Sequence, residues 1–230
     1  MQLSHRMQRV SDLVTPGICL ADIGTDHGYI PIEMVRQGRV RRALAMDVRK
    51  GPLLRAQENI RRYGLTEQIE TRLSDGAAAL KPGEADRVVI AGMGGGLVVR
   101  ILTDGAAVFD TVQELVLQPQ SELSRVREFL QEHGYRIEAE DMVLDEEKFY
   151  PMMRAVHGCM EPLPLEEALY GPLLLKSGNP VLRQFLEKEQ KSFEAIRQGL
   201  QRETSENARK RLEEIEERLS LIKKAKEKMP

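Results

Sequence analysis

Asp22, Gly24 and Gly28 stand in the order D-x-G-x-x-x-G, between the apolar run Ile18-Cys19-Leu20 and the stretch Ile30 to Val35. This is the spacing of a chain that leaves a buried strand, turns sharply and enters a helix, with a ligand touching backbone at the turn. Glycine permits both the turn and the close approach because it has no Cβ. Many strand-to-helix turns contain such a pair, so the context must add to it. A second apolar run, Ala43 to Met46, ends in Asp47. An acid about 20 residues beyond a glycine turn is where nucleotide-binding sheets hold a ribose hydroxyl. The glycines do not follow the G-x-G-x-x-G of the dinucleotide fingerprint. Asp22, an acid ahead of the first glycine, points instead to a ligand with a cationic amine and no pyrophosphate.

With Ser74-Asp75-Gly76, these residues resemble the first three motifs of class I S-adenosylmethionine methyltransferases. More narrowly, Leu3-Ser4-x-Arg6-Met7, DIGTDHGYIP, AMDV and IAGMGGG resemble the bacterial tRNA (adenine-22) N1-methyltransferase family, closely over about residues 1–158 and more loosely beyond. The resemblance implies S-adenosylmethionine as cofactor, tRNA as partner and adenine N1 as the methyl acceptor. It implies that Gly24 and Gly28 pass under the methionine part, that Asp22 holds its ammonium, and that Asp47 accepts the ribose hydroxyls, as an ionised carboxylate does well. Asp75 would receive the adenine amino group and Gly76 the ring edge. Thr25, Val48, Gly92 and Met93 complete the expected cofactor contacts. Ser-Asp-Gly is also good turn chemistry in its own right.

After the fourth strand many amino methyltransferases of adenine and cytosine carry Asp/Asn-Pro-Pro-Tyr/Phe, which accepts from an exocyclic amine and stacks the base. This chain has Ala91-Gly92-Met93-Gly94-Gly95-Gly96, with neither acceptor nor ring. The departure argues against attack by an exocyclic amine and suits a ring nitrogen, which already presents a lone pair. The glycine run either cradles a ligand with its backbone or makes a closely packed turn. On the substrate side the candidates are Asp26 and His27 in the cofactor turn, Gln118 as a base-edge partner and Tyr150 as a stacking ring. Each has a plainer reading: His27 as a helix cap, Tyr150 as a core residue.

Positioning these groups requires alternating strands and helices. Strands are read at 18–22, 42–47, 69–73, 86–91 and 112–118, and helices at about 28–37, 50–63, 93–103 and 121–132. This is the pattern of a parallel sheet covered on both faces. Leu3 to Val14 has the spacing of an amphipathic helix, with Arg6 either on its surface or facing the site. Tyr135 to Leu144 and Lys148 to Val156 read as an antiparallel hairpin about Asp145-Glu146-Glu147. A Pro/Gly-containing connector with a short helix near 165–170 follows. Leu182, Leu186, Glu189, Phe193, Ile196 and Leu200, then Ala208, Leu212, Ile215, Leu219 and Ile222, step by four and three. They predict two helices capped by Asn179-Pro180 and Thr204-Ser205, paired about a tight turn near 203–206 as an antiparallel, coiled-coil-like hairpin. The expected fold is therefore α/β, a Rossmann-like class I methyltransferase domain over 1–160 followed by a helical hairpin domain over 161–230.

The chain of 230 residues has 41% apolar and 30% charged residues and a net charge of −2, and no run long enough to span a bilayer. Two cysteines imply no disulfide framework, and a reducing cytoplasm is the expected compartment. The four histidines are scattered and no Cys/His cluster has ligand spacing, so no metal is expected. Residues 36–62 hold nine Lys/Arg (Arg36, Arg39, Arg41, Arg42, Arg49, Lys50, Arg55, Arg61, Arg62) against Asp47 and Glu58, a local charge of +7. That segment is either a phosphate-binding surface or a solvated basic face. A monomer is the expected state. One other function fits the residues, a small-molecule methyltransferase with the helical hairpin as lid or dimer contact, while a binding module without catalysis is disfavoured by the joint presence of Asp22, Gly24, Gly28, Asp47 and Asp75.

Overall fold

The apolar runs ahead of Asp22 and Asp47 are the two innermost strands of one half of a seven-stranded sheet. The computed structural model describes residues 3–202 and 205–230. In chain order, α1 (His5–Leu13) precedes β1 (Cys19–Ile23), α2 (Tyr29–Arg36), β2 (Arg42–Asp47), α3 (Lys50–Arg62) and β3 (Ile69–Leu73). Then come β4 (Arg87–Met93), α4 (Gly95–Asp104), α5 (Ala106–Phe109), β5 (Glu114–Pro119), α6 (Leu123–Glu132), β6 (Tyr135–Asp145) and β7 (Lys148–His157). The strand order is β3-β2-β1-β4-β5-β7-β6. The first five are parallel, and β7 adds antiparallel to β5.

Every residue of β1 and of β5 is buried, as it must be in parallel strands covered by helices on both faces. β3, at the edge, is mostly half-buried or exposed. The core on one face joins Val10 and Val14 of α1, Ile32 and Met34 of α2, and Leu20, Ala43, Val89 and Val116 of the sheet. In the β6–β7 hairpin, Asp145 pairs with Lys148, leaving Glu146 (φ 46°) and Glu147 (φ 63°) as a two-residue turn with both central residues left-handed. That is the turn whose twist matches the flanking strands.

Two of the boundaries that differ from expectation bear on the site. β4 runs on to Met93 through an irregularity between Ala91 and Met93, with Gly92 at φ 78°, so α4 begins at Gly95 and not at 93. α6 begins at Leu123 because Ser121 and Glu122 are engaged by the start of α4. The short helix α5 was not legible.

The chain divides into two compact units, residues 1–161 and 162–230. The second holds α7 (Leu165–Tyr170), the unexpected α8 (Pro172–Lys176), α9 (Pro180–Leu200) and α10 (Glu206–Glu227). Asn179 caps α9 by accepting from the amides of Val181 and Leu182, and Ser205 caps α10 by accepting from Ala208. Thr204, and residue 203 of the expected turn, lie outside the described residues. The two helices are antiparallel: Arg183 donates to the carbonyl of Pro230 and Arg218 to Glu189. Leu182, Leu186, Ala208, Ile215 and Ile222 of the seam are buried, while Ile196 is exposed. Glu189, an acid in an apolar seam, is satisfied by the Tyr170 hydroxyl at 2.7 Å and by Arg218 at 2.9 Å.

Candidate active site

The turn after β1 is held from three sides. The amides of Gly24 and Thr25 both donate to the carbonyl of Met46, at 2.8 Å, tying the turn to β2. Asn59 of α3 donates to the carbonyl of His27 at 2.9 Å. Gly28, at φ 69°, sits so close to α3 that an added Cβ would lie 3.2 Å from that of Ala56. Glycine at 28 is thus required both by conformation and by packing. His27 itself adopts φ 58°, uncommon for a side chain of its size. Its ring stacks on Tyr29, and its Nε2 lies 3.3 Å from Asp26 Oδ1.

A cavity of about 290 Å³ opens beside this turn, lined among others by Arg6, Asp22, Gly24, Asp26, Asp47, Arg49, Gly92 and Gln120. Asp22 and Asp47 end adjacent strands and are both buried. Burial is the main reason that Asp22 is pushed up to about 7, and the charges of Asp26 and Asp47 add to it, while Thr25 pulls the other way. Asp47 differs in having a fixed partner: one oxygen accepts the Arg49 amide at 2.7 Å, with the Arg49 side chain 3.8 Å away. Three carboxylates thus converge on one cavity, and the deepest has no cationic partner among the described residues. Such a site suits a ligand carrying positive charge.

The opposite wall is built from α1 and β5. The Arg6 guanidinium donates to Gln118 Oε1 at 3.0 Å and lies 5.5 Å over the Tyr150 ring. Gln118 is fully buried, and the same oxygen accepts the amide of Gly92 at 3.2 Å. As a base-edge partner Gln118 is therefore displaced: its acceptor is taken, and what it does is hold Arg6 and the strand-end glycine together. Gln120, two residues on, is the exposed carboxamide lining the cavity. Of the two readings of Arg6 the structure has the site-facing one, whereas Arg49 and Gln120 are not among the expected site residues. The sequence signals are the place of Gln120 directly after the end of β5, beside the candidate Gln118, and the place of Arg49 two positions past Asp47.

The glycine run is a packing device. Gly95 donates to the carbonyl of Ser121 and Gly96 to the carboxylate of Glu122, so these amides are already taken and cradle no ligand. An added Cβ at Gly95 would lie 2.4 Å from Ser121 O. Of the run, Gly92 reaches the cavity. Met93 lies across the turn, its methyl 2.1 Å from where a Gly24 Cβ would be. Val48, directly after Asp47, is 59% exposed.

Asp75 and Gly76 line a neighbouring cavity with Arg100 and Ile101 of α4 and not the one holding Asp22. Asp75 pairs with Arg100 at 3.0 Å, and Gly76 packs on Ile101. Ser74 accepts from the amide of Ala79 and donates to the carbonyl of Gly76, which is turn chemistry. Among the described residues no group of three or more His, Cys, Asp or Glu could hold a metal, and no helix is long and apolar enough to cross a membrane. Both cysteines are free, Cys19 buried and Cys159 exposed.

Known proteins match this arrangement closely. The chain is 33% identical to the tRNA (adenine(22)-N(1))-methyltransferase of Bacillus subtilis, over 97% of this chain and 96% of that protein. It superposes with a TM-score of 0.87 on Sp1610 of Streptococcus pneumoniae, solved in complex with S-adenosyl-L-methionine, at 33% identity over 98% of this chain and 100% of that one. TrmK of M. capricolum, solved with S-adenosyl-homocysteine, gives 0.88 at 26% identity over the whole of both chains. The sequence model of tRNA (adenine(22)-N(1))-methyltransferases matches residues 20–224, from β1 to the end of the helical hairpin, and the chain belongs to that family.

Proposed function

We infer that this chain transfers a methyl group from S-adenosylmethionine to N1 of adenine 22 in tRNA. One observation carries the reading beyond family membership. Asp22 is a buried carboxylate without a cationic partner among the described residues, under a glycine turn and beside the ribose-type acid Asp47. The residues fit the cofactor, because an ammonium supplies the missing counter-charge and a sulfonium suits an acidic cavity. Family membership removes the ground for the small-molecule and non-catalytic alternatives.

Bound there, S-adenosylmethionine supplies an activated methyl on a good leaving group, so the chain's work is alignment and exclusion of water. In this reading Asp22 takes the ammonium and Asp47 the ribose hydroxyls, with the Arg49 amide fixing the carboxylate. Gly24 and Gly28 supply the close backbone approach, and Val48 and Met93 the apolar contact with the purine. Asp75 reaches the cofactor's amino group by exchanging Arg100, a small cost for a pair whose side chains are both more than half exposed. Adenine N1 has a usable lone pair only when unpaired, so the base must leave any helix first. Methylation creates a cation that sheds an amino proton, and Asp26 with His27, on the rim of the turn, is the proton acceptor.

The phosphate grip is α3. Of the basic segment, Arg39 is structural, donating to the carbonyls of Ser11 and Val14 at the end of α1. Arg36 pairs with Glu33, and Arg42 donates to a backbone carbonyl. Lys50, Arg55 and Arg61 are exposed and unengaged among the described residues. The helical hairpin offers less, because Lys210, Arg211, Lys223 and Lys228 pair with carboxylates of their own unit. It is assigned a secondary contact with tRNA. In this reading the enzyme acts as a monomer in the cytoplasm, with which a tRNA substrate and two free thiols are consistent.

The test is incubation with methyl-labelled S-adenosylmethionine and unmodified bacterial tRNA, followed by nucleoside analysis. Label in 1-methyladenosine, lost when adenosine 22 is replaced by guanosine, is the expected result. Cofactor binding without label in tRNA counts against the reading.

A further inference from the structure

We propose that Gln120 is the residue that recognises the target base, reading adenine through its Hoogsteen edge. The proposal rests on the adenine-N1 reading above and adds which group of the chain selects the base.

Three observations point to Gln120. Its backbone is fixed, since its amide donates to the carbonyl of Met93 at 2.8 Å at the end of β5. Its carboxamide is exposed, lines the cavity that holds Asp22 and Asp26, and has no partner in the chain among the described residues. The floor beside it is bare: a Cβ on Gly92 would stand 3.9 Å from Gln120 Nε2 and 3.8 Å from Arg6 Nη1. A carboxamide on a fixed backbone therefore faces the cavity between the end of β5 and α1. The neighbouring carboxamide, Gln118, is buried and engaged and is not available for this role.

The chemistry of the acceptor decides how that pair is used. Attack by N1 requires the Watson–Crick edge to be free at that atom. The Hoogsteen edge then remains open to recognition, presenting N6–H and N7, a donor beside an acceptor. A carboxamide matches it with Oε1 accepting from N6–H and Nε2 donating to N7. Guanine presents two acceptors there, O6 and N7, and a glutamine can satisfy only one of them while its own oxygen faces the other. The same contact therefore holds the base with N1 unobstructed and rejects the other purine.

The experiment compares tRNA carrying adenosine with tRNA carrying 7-deazaadenosine at the target position, in single-turnover methylation at saturating S-adenosylmethionine. The wild-type chain needs no mutation for this arm. We expect it to react about ten- to a hundredfold more slowly with 7-deazaadenosine, the range of one good base contact. Replacing N7 by C–H makes N1 more basic, so a slower reaction cannot come from a weaker nucleophile. Gln120→Ala should be slow on both substrates and no longer distinguish them. Gln120→Glu, which sets a carboxylate oxygen against the N7 lone pair, should react better with 7-deazaadenosine than with adenosine. Equal wild-type rates on the two substrates, or a Gln120→Ala chain that still discriminates as wild type does, overturn the proposal. Failure of wild type on adenosine-containing tRNA would instead overturn the reading on which it rests, so the two failures are distinct. Cofactor affinity measured on each variant establishes that it is folded.

Discussion

Arg6 and Gln118, 112 positions apart, meet at 3.0 Å, and the same amide oxygen holds the Gly92 N–H. α1 is thereby fastened across the substrate side of the sheet. It is fastened elsewhere too: the Arg6 amide donates to Asp145 in the β6–β7 turn, and Arg9 to Asp141. Gln118→Met keeps the volume but leaves a buried amide and a guanidinium without their acceptor. A loss of about 1–3 kcal/mol in unfolding free energy is expected, with a fall in kcat as Arg6 loses its anchor. Arg6→Ala should cost less stability, since that side chain is only half-buried, yet reduce kcat comparably. Urea denaturation and single-turnover rates on the two variants check the split.

What could be read ahead of the structure was what is local. Asp22, Gly24, Gly28 and Asp47 announce themselves because strand ends and left-handed turns are specified within a few residues, and the β6–β7 hairpin because its period changes. What escaped depends on partners far along the chain. Gln118 is buried within β5 and Gln120 is exposed just beyond its end, and Arg6, brought by α1, takes the acceptor of the first. The glycines at 95 and 96 look like a cradle until Ser121 and Glu122 arrive to take their amides. The +7 segment reads as one surface, whereas Arg39 serves the carbonyls that end α1. The heptad seam was legible except where Tyr170 and Arg218 justify its Glu189.

Asp22 makes both stability and cofactor affinity depend on pH, with opposite signs. Its folded value, about 7, lies above the ordinary carboxylate value of 3.8. Between these two values the folded state binds more protons than the unfolded chain, so stability falls as pH rises from about 4 to 7, by a few kcal/mol at most. Ligand-free Asp22→Asn should therefore unfold at a higher temperature than wild type at pH 8 and show little difference at pH 4. An ammonium ligand needs the ionised form, so the Kd for S-adenosylmethionine should rise about fivefold from pH 7 to pH 6. In Asp22→Asn that dependence should vanish, with affinity uniformly weak. Calorimetric titration across this range, compared with differential scanning of the free chains, tests both signs.

Gly95 and Gly96 should differ in tolerance although they are neighbours in one run. An alanine methyl at 95 meets the backbone carbonyls of Ser121 and Glu122 at 2.4 and 2.9 Å, and backbone cannot move aside cheaply. At 96 the obstacles are the ends of the Glu122 and Arg125 side chains, at 2.9 and 3.2 Å, which can rotate away. Gly95→Ala is expected to destabilise by about 1–3 kcal/mol, the usual cost of overpacking, and Gly96→Ala by well under 1 kcal/mol. Since neither amide belongs to the ligand cradle, cofactor affinity in the folded Gly96→Ala chain should stay within about twofold of wild type. Loss of binding there would show that the run contacts the cofactor after all.

His27 separates the demands of shape from those of chemistry. Its φ of 58° is a strain that glycine removes, so His27→Gly should leave the melting temperature unchanged or raise it, even without the stacking on Tyr29. If the imidazole, with Asp26 3.3 Å from its Nε2, takes the proton that the methylated base sheds, the same variant should lose about ten- to a hundredfold in kcat. The KM for S-adenosylmethionine should hold, because the amides of Gly24 and Thr25 keep their bonds to Met46. His27→Ala would lose rate as well but retain the strained backbone and melt lower, which makes glycine the cleaner probe. Asp26→Asn should lose less than His27→Gly, because the histidine can still accept a proton without its partner. A His27→Gly chain that is both stable and fully active would reduce His27 to a turn residue and leave bulk water as the proton acceptor.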